Sequence, residues 1–232
     1  MTPGDVLGVT AVGVVVGVDL VTVPQAMTGR PLVAAFVGGW IAGSPIYGLL
    51  IGVVLELFAL ETLPVGASRY PDWGPPSVAA GALFQPGPDG VFATPFWPWL
   101  LSLVLVAALV AWLGGWAMDA VHRANGAAIV RRAAALDAGD PRALIGLQAW
   151  GFVRDAGRAA LLTLVALLLG GFVAQVVADQ WRASPAVAEN AVLAAAMGVA
   201  AAAAWRLYAR GKTARWLVAG VGAGLAGALL WV

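Results

Sequence analysis

Apolar residues in this chain fall in long, nearly charge-free blocks separated by short polar stretches. Val6 to Gly29 carries one charge, Asp19, and is long enough to span a bilayer. Met1 to Asp19 lacks a basic start, which makes it a first membrane segment rather than a signal peptide. Pro31 to Ser68 (PLVAAFVGGWIAGSPIYGLLIGVVLELFALETLPVGAS) has 38 residues, too long for one crossing of about 20 and short for two with a turn. Two short, tilted or re-entrant helices broken near Gly43, Ser44 and Pro45 fit this length. Arg69 to Pro98 is rich in Pro, Gly and Trp, so a long regular helix is excluded there, while Ser77 to Phe84 suits a short membrane-dipping piece. Pro98 to Met118 is uncharged and reads as a full span.

Asp119 to Arg158 is polar and Ala-rich, with Arg123, Arg131, Arg132, Arg142, Arg154 and Arg158, and reads as amphipathic helices at the membrane surface. Ala159 to Ala178 and Ala186 to Trp205 are the next spans, and Trp216 to Val232 closes the chain. The six basic residues of the 119–158 loop, with Arg206, Arg210, Lys212 and Arg215 before the last span, predict that both loops are cytoplasmic. Alternation then puts the C-terminus outside. The pattern predicts an all-α integral membrane protein, a polytopic bundle with broken or re-entrant helices in its N-terminal half. Residues 1–232 are expected to form one membrane domain, with a substrate region at about 19–98 and a cytoplasmic loop at 119–158.

Composition agrees. The chain is 61% hydrophobic and 11% charged, against about 25% charged for a soluble domain. A net charge of +1 argues against a nucleic-acid partner. The absence of Cys excludes disulfides, thiolate metal sites and a phosphocysteine relay, and the single His122 leaves no His cluster for zinc or haem. No cofactor or metal is expected, and no phosphoryl-carrying residue stands out. His122 reads as a surface residue.

The chemistry concentrates on acids. A carboxylate at bilayer depth costs about 3 kcal/mol on insertion scales, so it usually faces a cavity, a partner or a substrate. Ser44, Gly48, Gly52 and Glu56 recur in steps of four, on one helix face small enough for another backbone to pack closely. Glu56 therefore either serves a polar solute or pairs with Arg30 or Arg69. Asp19 either holds Arg30 or lines the cavity, and Arg30 before Pro31 reads most simply as an interfacial anchor. Asp72 in YPDWGPP either binds or caps a turn. Glu61, near a predicted interface, leaves a solvated carboxylate and a ligand contact both open. Most of the eleven tryptophans fall near span ends, as an aromatic belt would place them. Trp73, beside Asp72, is the candidate for stacking on a solute.

These features (Asp19, Arg30-Pro31, the Gly48–Gly52–Glu56 stripe within GLLIGVVLELFAL, and GASRYPD ending at Asp72) resemble the IIC permease subunit of the mannose/fructose/sorbose class of bacterial sugar phosphotransferase systems. The likeness is strongest from Asp19 to Ala82. Beyond Pro98 it rests on hydropathy and length, apart from the surroundings of Gln148. The resemblance implies a multi-pass protein of the bacterial inner membrane that pairs with a IID membrane subunit in an oligomeric complex. It also implies that a hexose is bound while soluble IIA and IIB phosphocarriers supply and transfer the phosphoryl group. Glu56 and Asp72 would be the sugar-binding acids, with Asp19, Ser68 and Trp73 beside them; Glu61 stands where the family has an uncharged residue. A non-transporting scaffold that keeps the fold, or a permease for another small polar solute, are the alternatives.

Overall fold

The computed structural model describes residues 1–19, 26–60, 70–85 and 96–208, and beyond them 215–216, 218–220 and 222–223. Its helices are α1 (Pro3–Val18), α2 (Pro31–Ile41), α3 (Pro45–Ala59), α4 (Gly74–Leu83), α5 (Phe96–Arg131), α6 (Ala133–Asp137), α7 (Pro141–Gln180) and α8 (Pro185–Tyr208), with no strand among the described residues. This is an all-α, multi-pass membrane protein. Stretches of α5, α7 and α8 are long and apolar enough to cross a bilayer, whereas α1, α2 and α3 are apolar but shorter. At 1.5 Å per residue, α2 and α4 rise only about 15 Å, half of a 30 Å hydrocarbon core.

The break in the 31–68 stretch falls at Ala42 to Ser44, and its cause is local. Gly43 takes φ +79°, Ser44 leaves helical geometry at φ −135° and ψ 62°, and Pro45 begins a new helix at a position where no amide donor is needed. Helices α2 and α3 then fold against each other. A Cβ on Gly48 would overlap the Ala35 carbonyl and meet Gly39, and one on Gly52 would press on Leu32 and Ala35, so the small-residue stripe forms the seam with α2. Arg30 at the start of α2 pairs with Glu56 near the end of α3. Both ends of the hairpin therefore lie at the same level, which makes it re-entrant in form.

Helix α4 is the central piece. Every residue from Gly74 to Ala82 is buried, and α1, α2, α3, α5 and α7 all pack on it. Pro75 and Pro76 sit in its first turn, where proline is tolerated, so the helix starts three residues earlier than Ser77, the start suggested by the sequence. Its crossing with α2 is backbone on backbone: Gly38 lies against the Val78 carbonyl and Gly81 against that of Ala35. Helix α1 packs through Gly13 on Thr163 and through Gly17 on Ala159 and Pro75.

Three sequence expectations change. Helix α1 ends at Val18 rather than near Gly29, and the Asp19 carboxylate that follows it accepts the amides of Ala26 and Thr28. The 119–158 region forms no separate surface helices. It is the outer part of α5 and α7, continuous with the spans and closed by α6 and a turn at Gly139 (φ +73°) with Asp140 capping α7. Ala-rich sequence without internal proline lets both helices continue past the apolar block, and the two pack on each other along the way. Arg158 is no loop residue: it is 5% exposed, inside the bundle. Large apolar side chains are exposed on α5 (Leu105, Leu109, Trp112, Trp116) and on α7 (Leu161, Leu164, Leu168, Phe172), as a lipid-facing surface requires. Ser68, Glu61, Arg69, Arg210, Lys212 and most of the expected last span lie outside the described residues.

Candidate functional site

At the mouth of the α2–α3 hairpin, Arg30 donates through Nε (2.7 Å) and Nη2 to Oε1 of Glu56. The other carboxylate oxygen accepts the Leu32 amide at 3.2 Å. Arg30 itself provides no side-chain cap for α2. Glu56 takes that role from across the hairpin, with its negative charge at the positive end of the α2 dipole. The pair is reachable from outside: 28% of the Arg30 side chain and 21% of the Glu56 side chain are exposed.

Asp72 lies deeper. Its backbone amide donates to Ala111 O at 2.9 Å, which pins the residue to α5 just before α4 begins. Arg158 of α7 pairs through Nη1 with Asp72 Oδ2, donates through Nε to Asp155 Oδ1 at 2.9 Å, and reaches the Gly17 carbonyl of α1 at 3.2 Å. All three side chains are under 5% exposed. This cluster ties α1, α4, α5 and α7 together, and a buried guanidinium is tolerable there because carboxylates and a carbonyl surround it. Asp72 Oδ1 has no hydrogen-bond partner within 3.5 Å.

Asp19 holds residues 26–29, just before α2. Its two oxygens accept the amides of Ala26 (2.8 Å), Thr28 (2.9 Å) and Gly29 (3.4 Å). Gly29 in turn abuts Gly74 at the start of α4, next to Trp73 and Asp72. Glu56, Arg30, Asp19, Asp72 and Arg158 thus form one polar layer at the end of the bundle from which the α5–α7 hairpin extends. Trp73 is 8% exposed and packs in the core. A cavity of about 430 Å³ between α5 and α7 is lined in part by His122, Asn125, Gln148 and Asp155 and adjoins the Arg158 cluster.

Polar groups also gather where α2 ends, α3 begins and α4 ends. Ser44 Oγ donates to Gln85 Oε1 at 2.7 Å, joining the tip of the hairpin to the chain just after α4. Tyr47 packs on Phe84 and Phe96, and its hydroxyl is buried without a partner. Asp155, Gln85 and Tyr47 escaped the sequence reading, and Arg158 entered it only as one of the basic residues of the 119–158 stretch. A signal existed for the first two: Asp155 and Arg158 are three apart, one helical turn, immediately before the uncharged Ala159 to Ala178 block.

No protein-family model matches this sequence, and no curated protein matches it. Solved structures do. A structure described as that of a membrane protein is similar over 100% of this chain and 96% of its own, at TM-score 0.68 and 22% identity. A chain in the cryo-EM structure of the mannose transporter ManYZ with microcin E492 is similar over 99% of this chain and 87% of its own, at TM-score 0.56 and 21% identity. At these identities the likeness is one of fold, and the chain has the fold of a subunit found in a membrane transporter complex.

Proposed function

We propose that this protein is the IIC-type permease subunit of a mannose-class phosphotransferase system in the bacterial inner membrane, and that it binds a hexose for transport coupled to phosphorylation by a separate IIB subunit. In this reading it works beside a IID-like membrane subunit, with IIA and IIB as the soluble phosphocarriers. The observation that carries the reading is the re-entrant α2–α3 hairpin laid against the half-length α4, with a reachable ion pair at its mouth. Broken helices of this kind leave backbone groups and helix ends available to polar solute within a membrane. The near full-length fold likeness to a mannose transporter chain supports it.

Of the acids named by the family resemblance, Glu56 is the one a solute reaches in this conformation. Sugar hydroxyls would compete with Arg30 for its carboxylate, while Asp72, Asp19 and Trp73 hold the frame behind it; Ser68 belongs to the same proposed site. Glu56→Gln should weaken hexose binding by roughly 1.5–3 kcal/mol, about ten- to a hundredfold. Arg30→Gln breaks the same ion pair but leaves the acid, and should bind sugar at least as well as the parent. Calorimetry on the purified chain with its IID partner, and uptake at matched membrane abundance, make the comparison. Equal losses in both variants, or no loss in Glu56→Gln, would mean that the pair is a structural clamp. The full pairing of Glu56 and Asp19 within the chain favours that second reading, a scaffold that keeps the fold without transport.

The proposal also assigns the α5–α7 hairpin to the cytoplasm. In this Cys-free chain, Ala138→Cys at the exposed turn should resist an impermeant maleimide added to intact cells and react after lysis. Labelling in intact cells would reverse the topology.

A further inference from the structure

Outside the polar layer, the outer part of the α5–α7 hairpin encloses a cleft of about 240 Å³. Its walls include Ala128, Arg131 and Arg132 on one side and Gly146, Trp150 and Arg154 on the other. Gly146, Trp150 and Arg154 are spaced by four and share one face of α7. Gly146 shapes the cleft: a Cβ there would stand 2.7 Å from Nη1 of Arg132, so its absence lets that guanidinium lie against α7. Arg154 Nη1 donates to Asn125 Oδ1 at 2.8 Å, a neutral partner that orients the group without cancelling its charge.

Three arginines therefore line one small space, and among the described residues none of them has an ion-pair partner. Of the acids on this hairpin, Asp140 caps α7 through the Arg142 amide, Asp155 holds Arg158, and Asp137 of α6 forms no ion pair with these arginines. Like charges that line one cleft without an ion-pair partner favour an anion between them. A carboxylate offers two oxygens and one charge, enough for one guanidinium fork. A phosphate offers several oxygens and up to two charges, which suits several forks at once.

The geometry points to a phosphate-binding site in this cleft, filled by the phosphate group of a small molecule or of a lipid headgroup. Arg131 lies 17 residues beyond Gly114, the residue that packs on Asp72, or about 25 Å along α5. The site is thus remote from Glu56 and stands or falls independently of the proposed sugar site.

The test uses the full chain in phosphatidylcholine nanodiscs, titrated with inorganic phosphate by calorimetry at constant chloride. Saturable binding is expected, weakened at least about tenfold in the double variant Arg131→Gln, Arg132→Gln. Gly146→Ala, which keeps every charge but displaces Arg132, should weaken it as well. Arg142→Gln, on the same hairpin but outside the cleft, should leave it unchanged. A second arm uses nanodiscs containing phosphatidylglycerol and native mass spectrometry of retained lipid. Retention that depends on Arg131 and Arg132, without binding of free phosphate, would identify the headgroup as the source. Absence of both kinds of binding, or equal weakening by Arg142→Gln, would overturn the site and leave only diffuse positive charge.

Discussion

Arg158→Met should destabilise the protein by about 3–5 kcal/mol, the usual cost of removing one partner from a buried ion pair. The methionine fills much of the same space, so packing is not the main loss. What remains is Asp72 and Asp155, both under 5% exposed, facing each other without the guanidinium that holds them. The contact to the Gly17 carbonyl goes too, loosening α1 from α7. Adding Asp72→Asn and Asp155→Asn removes the stranded charges and should recover part of the stability. Thermal unfolding in detergent, followed by the monodisperse fraction on size exclusion, checks both steps. An Arg158→Met protein within about 0.5 kcal/mol of the parent would mean that these acids need no counter-charge.

Gly38→Ala and Gly81→Ala should each cost about 1–3 kcal/mol or more, although alanine is the better helix former. At both positions the added methyl would run into a carbonyl on the facing helix, Val78 for Gly38 and Ala35 for Gly81. Backbone cannot rotate aside as a side chain can, so α2 and α4 must separate and open the core around Val78. Gly126→Ala, in α5 with nothing within 4 Å, is the internal control and should stabilise by roughly 0.5–1 kcal/mol. The same unfolding assay reads all three. Tolerance of alanine at both Gly38 and Gly81 would show that the α2–α4 crossing is looser than its backbone contacts imply.

Several features were written locally and could be read from the sequence. The all-α membrane class follows from blocks of apolar residues that leave no alternative way to satisfy the backbone. The break at Ala42 to Ser44 follows from Gly-Ser-Pro, three residues whose own backbone preferences end one helix and start the next. The stripe Ser44, Gly48, Gly52 marks a close helix face because spacing by four is a property of the helix itself. Tertiary structure decided the rest. Arg158 meets Asp72 across 86 positions, and no window along the chain reveals that pair; the pairing of Glu56 with Arg30, 26 positions away, was among the alternatives the sequence left open, and only the fold realises it. The charge of Arg158 resembled that of a surface loop residue, since hydropathy reports a side chain's cost of burial and is silent about a partner that offsets it. The same reason explains the extended α5 and α7. Where an apolar block ends, sequence predicts an interface, but a helix continues as long as its residues favour it and a neighbouring helix packs alongside.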